Sequence, residues 1–215
     1  MDFESFVLGR VPPPPARILE VGCGAGDLAR GLAAAGHEIT AIDPDAPEGS
    51  IFRRVSLEEF AEPGPFEAVV ASRSLHHVPD LDVAVEKIDS LLVRGGLVLL
   101  DDYAKERFDR KTAAWYFEHR RTIAAADGPE APASLEECIA EWEEDDAHIH
   151  GEVEMKAALD HRFRQQYLAW VPYLWRDLEG AASFADEQAA IDAGIIAAMG
   201  FRYVGEAPLE SPMRR

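Results

Sequence analysis

The chain has 215 residues, 47% of them hydrophobic, which suffices for one sizeable core in a single domain. Its 40 acidic side chains against 21 Lys and Arg give a formal net charge of −19, which disfavours nucleic-acid phosphates and anionic membranes as partners. The sequence has two cysteines and no export signal, and no apolar run approaches the ~20 residues of a membrane-spanning helix. These features predict a cytoplasmic protein.

Short apolar runs alternate with helix-period segments in the first half, which indicates βαβ units and a parallel sheet. Leu28, Leu32 and Ala35 repeat at helical spacing, and Gly36 is expected to end that helix. A second helix is predicted from Leu81 to Leu92, with Gly95-Gly96 as its stop. The predicted strands of this half are Arg17–Val21, His37–Ile42, Ile51–Val55, Phe66–Ser72 and Leu97–Leu100.

The second half has a less regular pattern that is mostly helical. Helical composition extends from about Phe108 to Asp160. A strand is predicted over Phe163–Trp175, and Pro172 would place its later part at a sheet edge or a bulge. The pattern ends with a helix over Glu187–Met199 and a last strand over Phe201–Gly205.

The residues from Glu20 to Gly26 form a glycine-rich turn between the first strand and the first helix. Absent side chains let the backbone of such a turn approach a ligand closely. A dinucleotide fingerprint would need a third glycine where Asp27 stands, and a negative charge there disfavours pyrophosphate. Asp43 ends the second strand, where a carboxylate can accept both ribose hydroxyls of an adenosine. The pattern predicts an adenosyl ligand.

These residues also carry a family resemblance. Glu20–Gly26 with Asp43 resembles the first two motifs of class I S-adenosylmethionine-dependent methyltransferases. Phe66–Ser72 with Leu75–Val78, and then Leu91–Leu99, resemble later motifs of the small-molecule branch, in matching order. The resemblance implies an α/β fold: a Rossmann-like, doubly wound, mostly parallel seven-stranded sheet with a helical insert after the fifth strand.

The resemblance also implies S-adenosylmethionine as cofactor, with S-adenosylhomocysteine as product. Glu20 would hold the methionine amino group, Asp43 the ribose, and Pro44 would pack on the adenine. Val55 stands where many members have an acidic residue. The implied cofactor-binding residues are Glu20, Gly22, Gly24, Asp43, Pro44, Ser56, Leu57, Ser72 and Arg73.

The acceptor is expected to be a small molecule that carries the reacting oxygen, nitrogen or carbon atom. Ala71–Ser74 replaces the Asp/Asn-Pro-Pro-Tyr element of adenine-amino methyltransferases, and no Pro-Cys nucleophile of cytosine methyltransferases is present. Methyl transfer is an in-line displacement, to which positioning and water exclusion contribute much of the acceleration. A base is needed if the acceptor must lose a proton, and the candidates are His77, His148, His150 and Tyr103.

Two other functions stay open at this point: a nicotinamide-dependent oxidoreductase, and a non-catalytic module that binds S-adenosylmethionine. His148 and His150 lie near Asp145 and Asp146, but we predict no metal, because such groups on an acidic helix end are more often solvated. The predicted organisation is a binding core over residues 1–103, a helical insert or lid over 104–185, and a helix and strand over 186–215 that complete the sheet. A homodimer is left open.

Overall fold

The computed structural model describes residues 1–126, 130–178 and 180–209. Seven strands form one sheet in the order β3-β2-β1-β4-β5-β7-β6. The strands are β1 Arg17–Val21, β2 Glu38–Ile42, β3 Phe52–Arg53, β4 Phe66–Ser72, β5 Leu92–Tyr103, β6 Arg164–Val171 and β7 Gly200–Glu206.

The α-helices lie between these strands and before the first of them. Within the described ranges, none is long and apolar enough to cross a membrane. The helices are α1 Phe3–Leu8, α2 Asp27–Ala34, α3 Leu81–Leu91, α4 Arg110–Ala125, α5 Leu135–Asp145, α6 Glu152–Arg162 and α7 Phe184–Asp192.

The sheet is mostly parallel, with one strand in the opposite direction. β1 pairs in parallel with β2 and β4, β2 with β3, and β4 with β5. Hydrogen bonds join Ala207, after the end of β7, to Gly95 and Gly96 near the start of β5. Ala104, just after β5, donates to Met199 before β7, so these two strands are antiparallel. The predicted Rossmann-like sheet is confirmed, and Pro172 follows an edge strand, β6, as expected.

The predicted helix stop at Gly95-Gly96 is wrong. α3 ends at Leu91, and both glycines lie inside β5, which begins at Leu92. Leu92 already pairs with Phe66 of β4, and the register then shifts before Leu97 pairs with Ala68. Gly95 has φ = 72°, so it is needed for this irregularity within the strand and not for a helix cap.

Three further boundaries differ from the sequence prediction. The third strand is only Phe52–Arg53, and the helical stretch after Phe108 divides into α4, α5 and α6. The last helix ends at Asp192, not at Met199. It begins in a capping box of Ser183 and Asp186, and Met199 is fully buried beyond its end, where its carbonyl accepts the hydrogen bond from Ala104.

The described residues divide into two compact units. The first comprises Met1–Asp102, Val153–Leu168 and Arg202–Leu209. Its core packs α1 and α2 against one face of the sheet, and it contains Phe6, Val7, Ala29, Leu32, Ile18, Val70 and Leu99. The burial of α1 and α2 against the sheet fixes the loops that follow β1 and β4.

The second unit comprises the described residues of Tyr103–Glu152 and Ala169–Phe201. Its core is aromatic. Trp142 stacks on Phe108 with ring centroids 4.0 Å apart and meets Tyr116 edge-on. The division of the chain at residues 103 and 185 into core, lid and completing segment stays a prediction.

Candidate active site

A cavity of about 340 Å³ lies at the carboxyl ends of β1 and β4. Three segments line it: Phe3 and Glu4 of α1, residues between Glu20 and Leu28, and Ser72-Arg73 after β4. Ligands of open α/β sheets bind outside the carboxyl ends of the strands, so this cavity is where the sheet topology predicts a site.

The glycine turn forms the floor of the cavity. Gly22, Gly24 and Gly26 all have positive φ, at 74°, 48° and 82°, which side chains rarely tolerate. A Cβ atom added to Gly22 would overlap the Ser74 side chain, whereas one added to Gly24 would meet nothing within 4 Å. Gly22 therefore allows two loops to approach each other, and Gly24 leaves open space for a ligand.

Glu20 places a buried carboxylate beside this turn. The residue is 2% exposed, and its Oε2 atom has no hydrogen-bond partner. Burial, with smaller effects from Asp43 and Asp27, raises the pKa of Glu20 to about 8. A buried carboxylate oxygen without a partner is costly, so Oε2 of Glu20 is suited to meet a cationic or hydrogen-bond-donating ligand group.

Asp43 connects the end of β2 to the glycine turn. Its Oδ2 accepts a hydrogen bond from the Gly24 backbone N–H at 3.0 Å, and its Oδ1 accepts one from the Asp45 N–H at 2.8 Å. The bond to Gly24 brings Asp43 next to a residue that lines the cavity. Asp43 and Pro44 are not among the lining residues themselves, and neither are Ser56 and Leu57.

The turn after β4 is anchored to the ends of β1 and β5. Arg73, which lines the cavity, has φ = 50°, and its N–H donates to the Asp101 carbonyl at 2.9 Å. The Ser74 hydroxyl donates to the Val21 carbonyl at 2.9 Å. These bonds fix the predicted residues Ser72 and Arg73 at the cavity wall.

The two adjacent histidines after this turn differ in environment. His76 is buried, and its Nδ1 atom bonds to Oδ1 of Asp102. The other oxygen of Asp102 accepts the Leu75 N–H at 3.1 Å. His77 is largely exposed, with its ring centroid 4.0 Å from that of His76. Partial burial, with a smaller effect of His76, lowers the pKa of His77, so this imidazole is neutral near pH 7.

Comparison with known proteins decides the family. The family described as "Methyltransferase domain" matches residues 3–169, which is most of the chain and includes every strand that ends at the cavity. The chain belongs to this family. Its motifs and sheet order identify it as a class I S-adenosylmethionine-dependent methyltransferase.

Relatives and solved structures agree with this assignment. A ubiquinone biosynthesis O-methyltransferase of Xanthomonas campestris is 38% identical over 110 residues, which are 44% of this methyltransferase and 46% of the relative. A second, from Dechloromonas aromatica, is 36% identical over 99 residues, 39% and 43% of the two chains. The methyltransferase thus spans less than half the length of these relatives.

The solved structures show the fold. The N-methyltransferase NodS of Bradyrhizobium japonicum superposes with a TM-score of 0.56 at 14% identity, covering 96% of this methyltransferase and 94% of NodS. A methyltransferase of Methanosarcina mazei gives a TM-score of 0.60 at 16% identity, covering 95% and 98%. NodS has also been crystallised with S-adenosyl-L-homocysteine, at a TM-score of 0.53, 14% identity and coverage of 90% and 78%.

The residues of this methyltransferase fit S-adenosylmethionine as the cofactor. The unpartnered Oε2 of Glu20 suits an α-ammonium group, and the open space at Gly24 suits a ligand laid across the turn. Cys23 offers no competing chemistry, because burial raises the pKa of its thiol to about 11. Glu20, Gly22, Gly24, Ser72 and Arg73 share one cavity.

The remaining catalytic candidates lie in the second unit. Tyr103 is 3% exposed, stacks on Tyr173 with ring centroids 4.9 Å apart and meets Trp142 at 5.8 Å. His148 is exposed and His150 is half-buried. Among the described residues, no group of three or more His, Cys, Asp or Glu side chains is arranged to hold a metal ion.

Sequence reasoning missed three features of the site. Phe3 and Glu4 of α1 line the cavity, and no site residue before β1 was predicted from the sequence. The bond between Ser74 and Val21 and the pair of His76 with Asp102 were also not predicted. These contacts join residues distant in sequence, and no local sequence pattern identifies such contacts.

Proposed function

We propose that this methyltransferase moves a methyl group from S-adenosylmethionine to a small-molecule acceptor. A lone pair on the acceptor oxygen, nitrogen or carbon attacks the methyl carbon as the carbon–sulfur bond breaks. The bonding electrons return to sulfur, and neutral S-adenosylhomocysteine leaves. The observation that carries the proposal is the buried Glu20 side chain, whose Oε2 atom has no partner, at a glycine turn with open space at Gly24.

The proposed cofactor contacts follow the path from β1 to β4. Glu20 binds the α-ammonium group, and the backbones of Gly22 and Gly24 lie under the ligand. Asp43 accepts the ribose hydroxyls; its bond to Gly24 and its place at the end of β2 support this. The adenine is assigned to Pro44, Ser56 and Leu57, and the methionine moiety to Ser72 and Arg73.

His77 is the best-supported base if the acceptor has a proton to lose. Its lowered pKa leaves the imidazole unprotonated at neutral pH, as a proton acceptor must be. It also follows the turn that contains Ser72 and Arg73, which line the cavity. Tyr103, His148 and His150 are secondary candidates, and the segment 104–185 is proposed as the lid that excludes water.

We assign the acceptor to small molecules and not to nucleic acids because the net charge of −19 repels phosphate backbones. A hydroxyl acceptor is supported by the O-methyltransferase names of the relatives. The family match and the glycine spacing favour methyl transfer over nicotinamide chemistry and over a non-catalytic binding role. A cytoplasmic location and the absence of a nucleic-acid partner are parts of this proposal.

The proposal is tested through the ribose contact. Replacing Asp43 with Ala removes two charge-assisted hydrogen bonds, so S-adenosylhomocysteine affinity should fall roughly tenfold or more in calorimetric titration. Glu38→Gln is the control, because Glu38 is exposed at the opposite, amino end of the same strand. Unchanged affinity in Asp43→Ala would show that the ribose lies elsewhere.

A further inference from the structure

The donor cavity is lined by three carboxylate side chains and one guanidinium group. The carboxylates belong to Glu4, Glu20 and Asp27, and the guanidinium to Arg73. Glu20 is 2% exposed with an unpartnered oxygen, which marks the cavity as a site for a cationic group. Asp27 forms an ion pair with Arg30 at 3.2 Å, which partly offsets its charge. Glu4 forms no ion pair within the described part of the chain, so no basic side chain offsets its charge.

The first helix fixes Glu4 at this cavity. The Asp2 side chain caps α1 by accepting the Ser5 N–H at 2.8 Å. Phe6 and Val7 are 1% and 0% exposed and belong to the core that α1 shares with α2. These contacts hold the helix on the protein surface with Glu4 toward the cavity.

A glycine on α2 makes room for the Glu4 side chain. A Cβ added at Gly31 would overlap the Glu4 carboxylate, so this carboxylate lies where a larger residue on α2 would place its side chain. The Glu4 carboxylate therefore lies against the second helix, although the residue is exposed to solvent.

We infer that Glu4 is a specificity-determining residue, through which the cavity binds the cationic sulfonium of S-adenosylmethionine in preference to the neutral thioether of S-adenosylhomocysteine. This inference rests on the proposed function. The two ligands share the adenosine, the ammonium and the carboxylate, and they differ only in the methyl group and the charge on sulfur. A nearby carboxylate therefore acts on the difference between them.

This preference would assist turnover. Methyl transfer neutralises the sulfur, so the attraction that holds the donor disappears when the product forms. Interactions that hold only the charged species raise the affinity for the substrate without raising that for the product. The negative lining thus favours exchange of spent product for fresh donor.

The test compares dissociation constants for both ligands in Glu4→Gln and in the unaltered protein. Glutamine keeps the shape that packs on Gly31 and removes only the charge. We expect the preference for S-adenosylmethionine over S-adenosylhomocysteine to fall roughly three- to fivefold, as for one charge acting over several ångströms near a protein surface. Sinefungin, in which a protonated amine replaces the sulfonium, should lose affinity in parallel with S-adenosylmethionine.

Two control variants separate the local charge from other effects. Glu38→Gln makes the same change in net charge at the amino end of β2 and should leave the ratio unchanged. Glu4→Asp retains the charge and should stay near the unaltered ratio. An unchanged ratio in Glu4→Gln, with both ligands still bound, would overturn the inference and leave the proposed function standing. Failure of the unaltered protein to bind either ligand would overturn both.

Discussion

Glu20 stands at the end of β1 with one carboxylate oxygen unpartnered and a pKa near 8 that burial has raised. An unfolded glutamate titrates near 4.5, so the folded protein holds this proton more tightly than the unfolded chain does. The contribution of Glu20 to stability is therefore fully favourable below about pH 4.5 and is lost as the pH rises toward 8. Glu20 therefore lowers the stability of the folded protein at alkaline pH.

Replacing Glu20 with Gln should remove this pH dependence. We expect the variant to gain stability relative to the unaltered protein as the pH rises from 5 to 8, by about 2–4 kcal/mol at the upper end. Urea unfolding at several pH values measures the difference. A constant difference across this range would contradict the burial of an ionisable carboxyl at this position. The same variant should bind S-adenosylhomocysteine more weakly, because it lacks the carboxylate that we propose as the partner of the ammonium group.

The two glycines of the turn should respond differently to substitution. Gly22→Ala introduces a side chain at φ = 74° that also overlaps Ser74, whereas Gly24→Ala introduces one at φ = 48° in open space. We expect Gly24→Ala to lose about 1–2 kcal/mol of unfolding free energy from backbone strain alone. Gly22→Ala should lose more, because the Ser74 loop must also move. Equal losses in thermal unfolding would show that the two loops do not meet at Gly22.

At the scale of elements, a buried ion pair joins β7 to β5, and its arginine also contacts the start of the chain. Arg202 of β7 donates from Nε to the Asp101 carboxylate at 3.0 Å, with side chains 5% and 3% exposed. The same guanidinium donates to the Met1 carbonyl at 2.9 Å and lies 5.0 Å from the Phe6 ring centroid. The backbone carbonyl of Asp101 accepts the Arg73 N–H. Arg202 thus stabilises two walls of the donor cavity from the far end of the chain.

Removing Arg202 should therefore weaken both the fold and donor binding. In Arg202→Met the buried Asp101 carboxylate loses its ion pair with the guanidinium, which costs about 3–5 kcal/mol. S-adenosylhomocysteine affinity should fall as α1 loosens. The double variant Asp101→Asn/Arg202→Met should recover part of the stability, since no uncompensated charge remains. If the single variant were as stable as the unaltered protein, the pair would have no structural role.

Sequence patterns predict elements well where the deciding contacts are local. Ile18, Leu19 and Val21 give residues 17–21 an apolar pattern that leads directly into a glycine turn, and β1 has those bounds. Gly95-Gly96 resembled a helix stop because its partner, Ala207, is more than a hundred residues away. The end of α7 was predicted wrongly for the same reason. The carbonyl of Met199 accepts a hydrogen bond from Ala104, which follows β5 and is distant in sequence.

The candidate site divides in the same way. Glu20 and the glycines were predictable because strand, turn and helix follow one another in the chain. The pairing of Asp102 with His76 joins residues 26 positions apart. The place of Glu4 at the cavity depends on the packing of two separate helices, α1 and α2. No periodicity in the sequence encodes such contacts, so only the structure identifies them.

At the scale of the whole molecule, fold, family and charge lead to one class of chemistry. The seven-stranded sheet and the family match over residues 3–169 establish a methyltransferase domain. The net charge of −19 favours a cationic donor and disfavours a polyanionic acceptor. The cavity at the carboxyl ends of β1 and β4 lies where this fold places a ligand, and it is lined by the acidic residues Glu4, Glu20 and Asp27.

The most direct test is calorimetric titration of the purified protein with S-adenosylmethionine, S-adenosylhomocysteine and NADH. We predict saturable binding of the two sulfur ligands, with dissociation constants on the order of micromolar, and no binding of NADH. Binding of NADH alone would contradict the assignment of the glycine turn to an S-adenosylmethionine site, and so would the absence of binding by all three ligands.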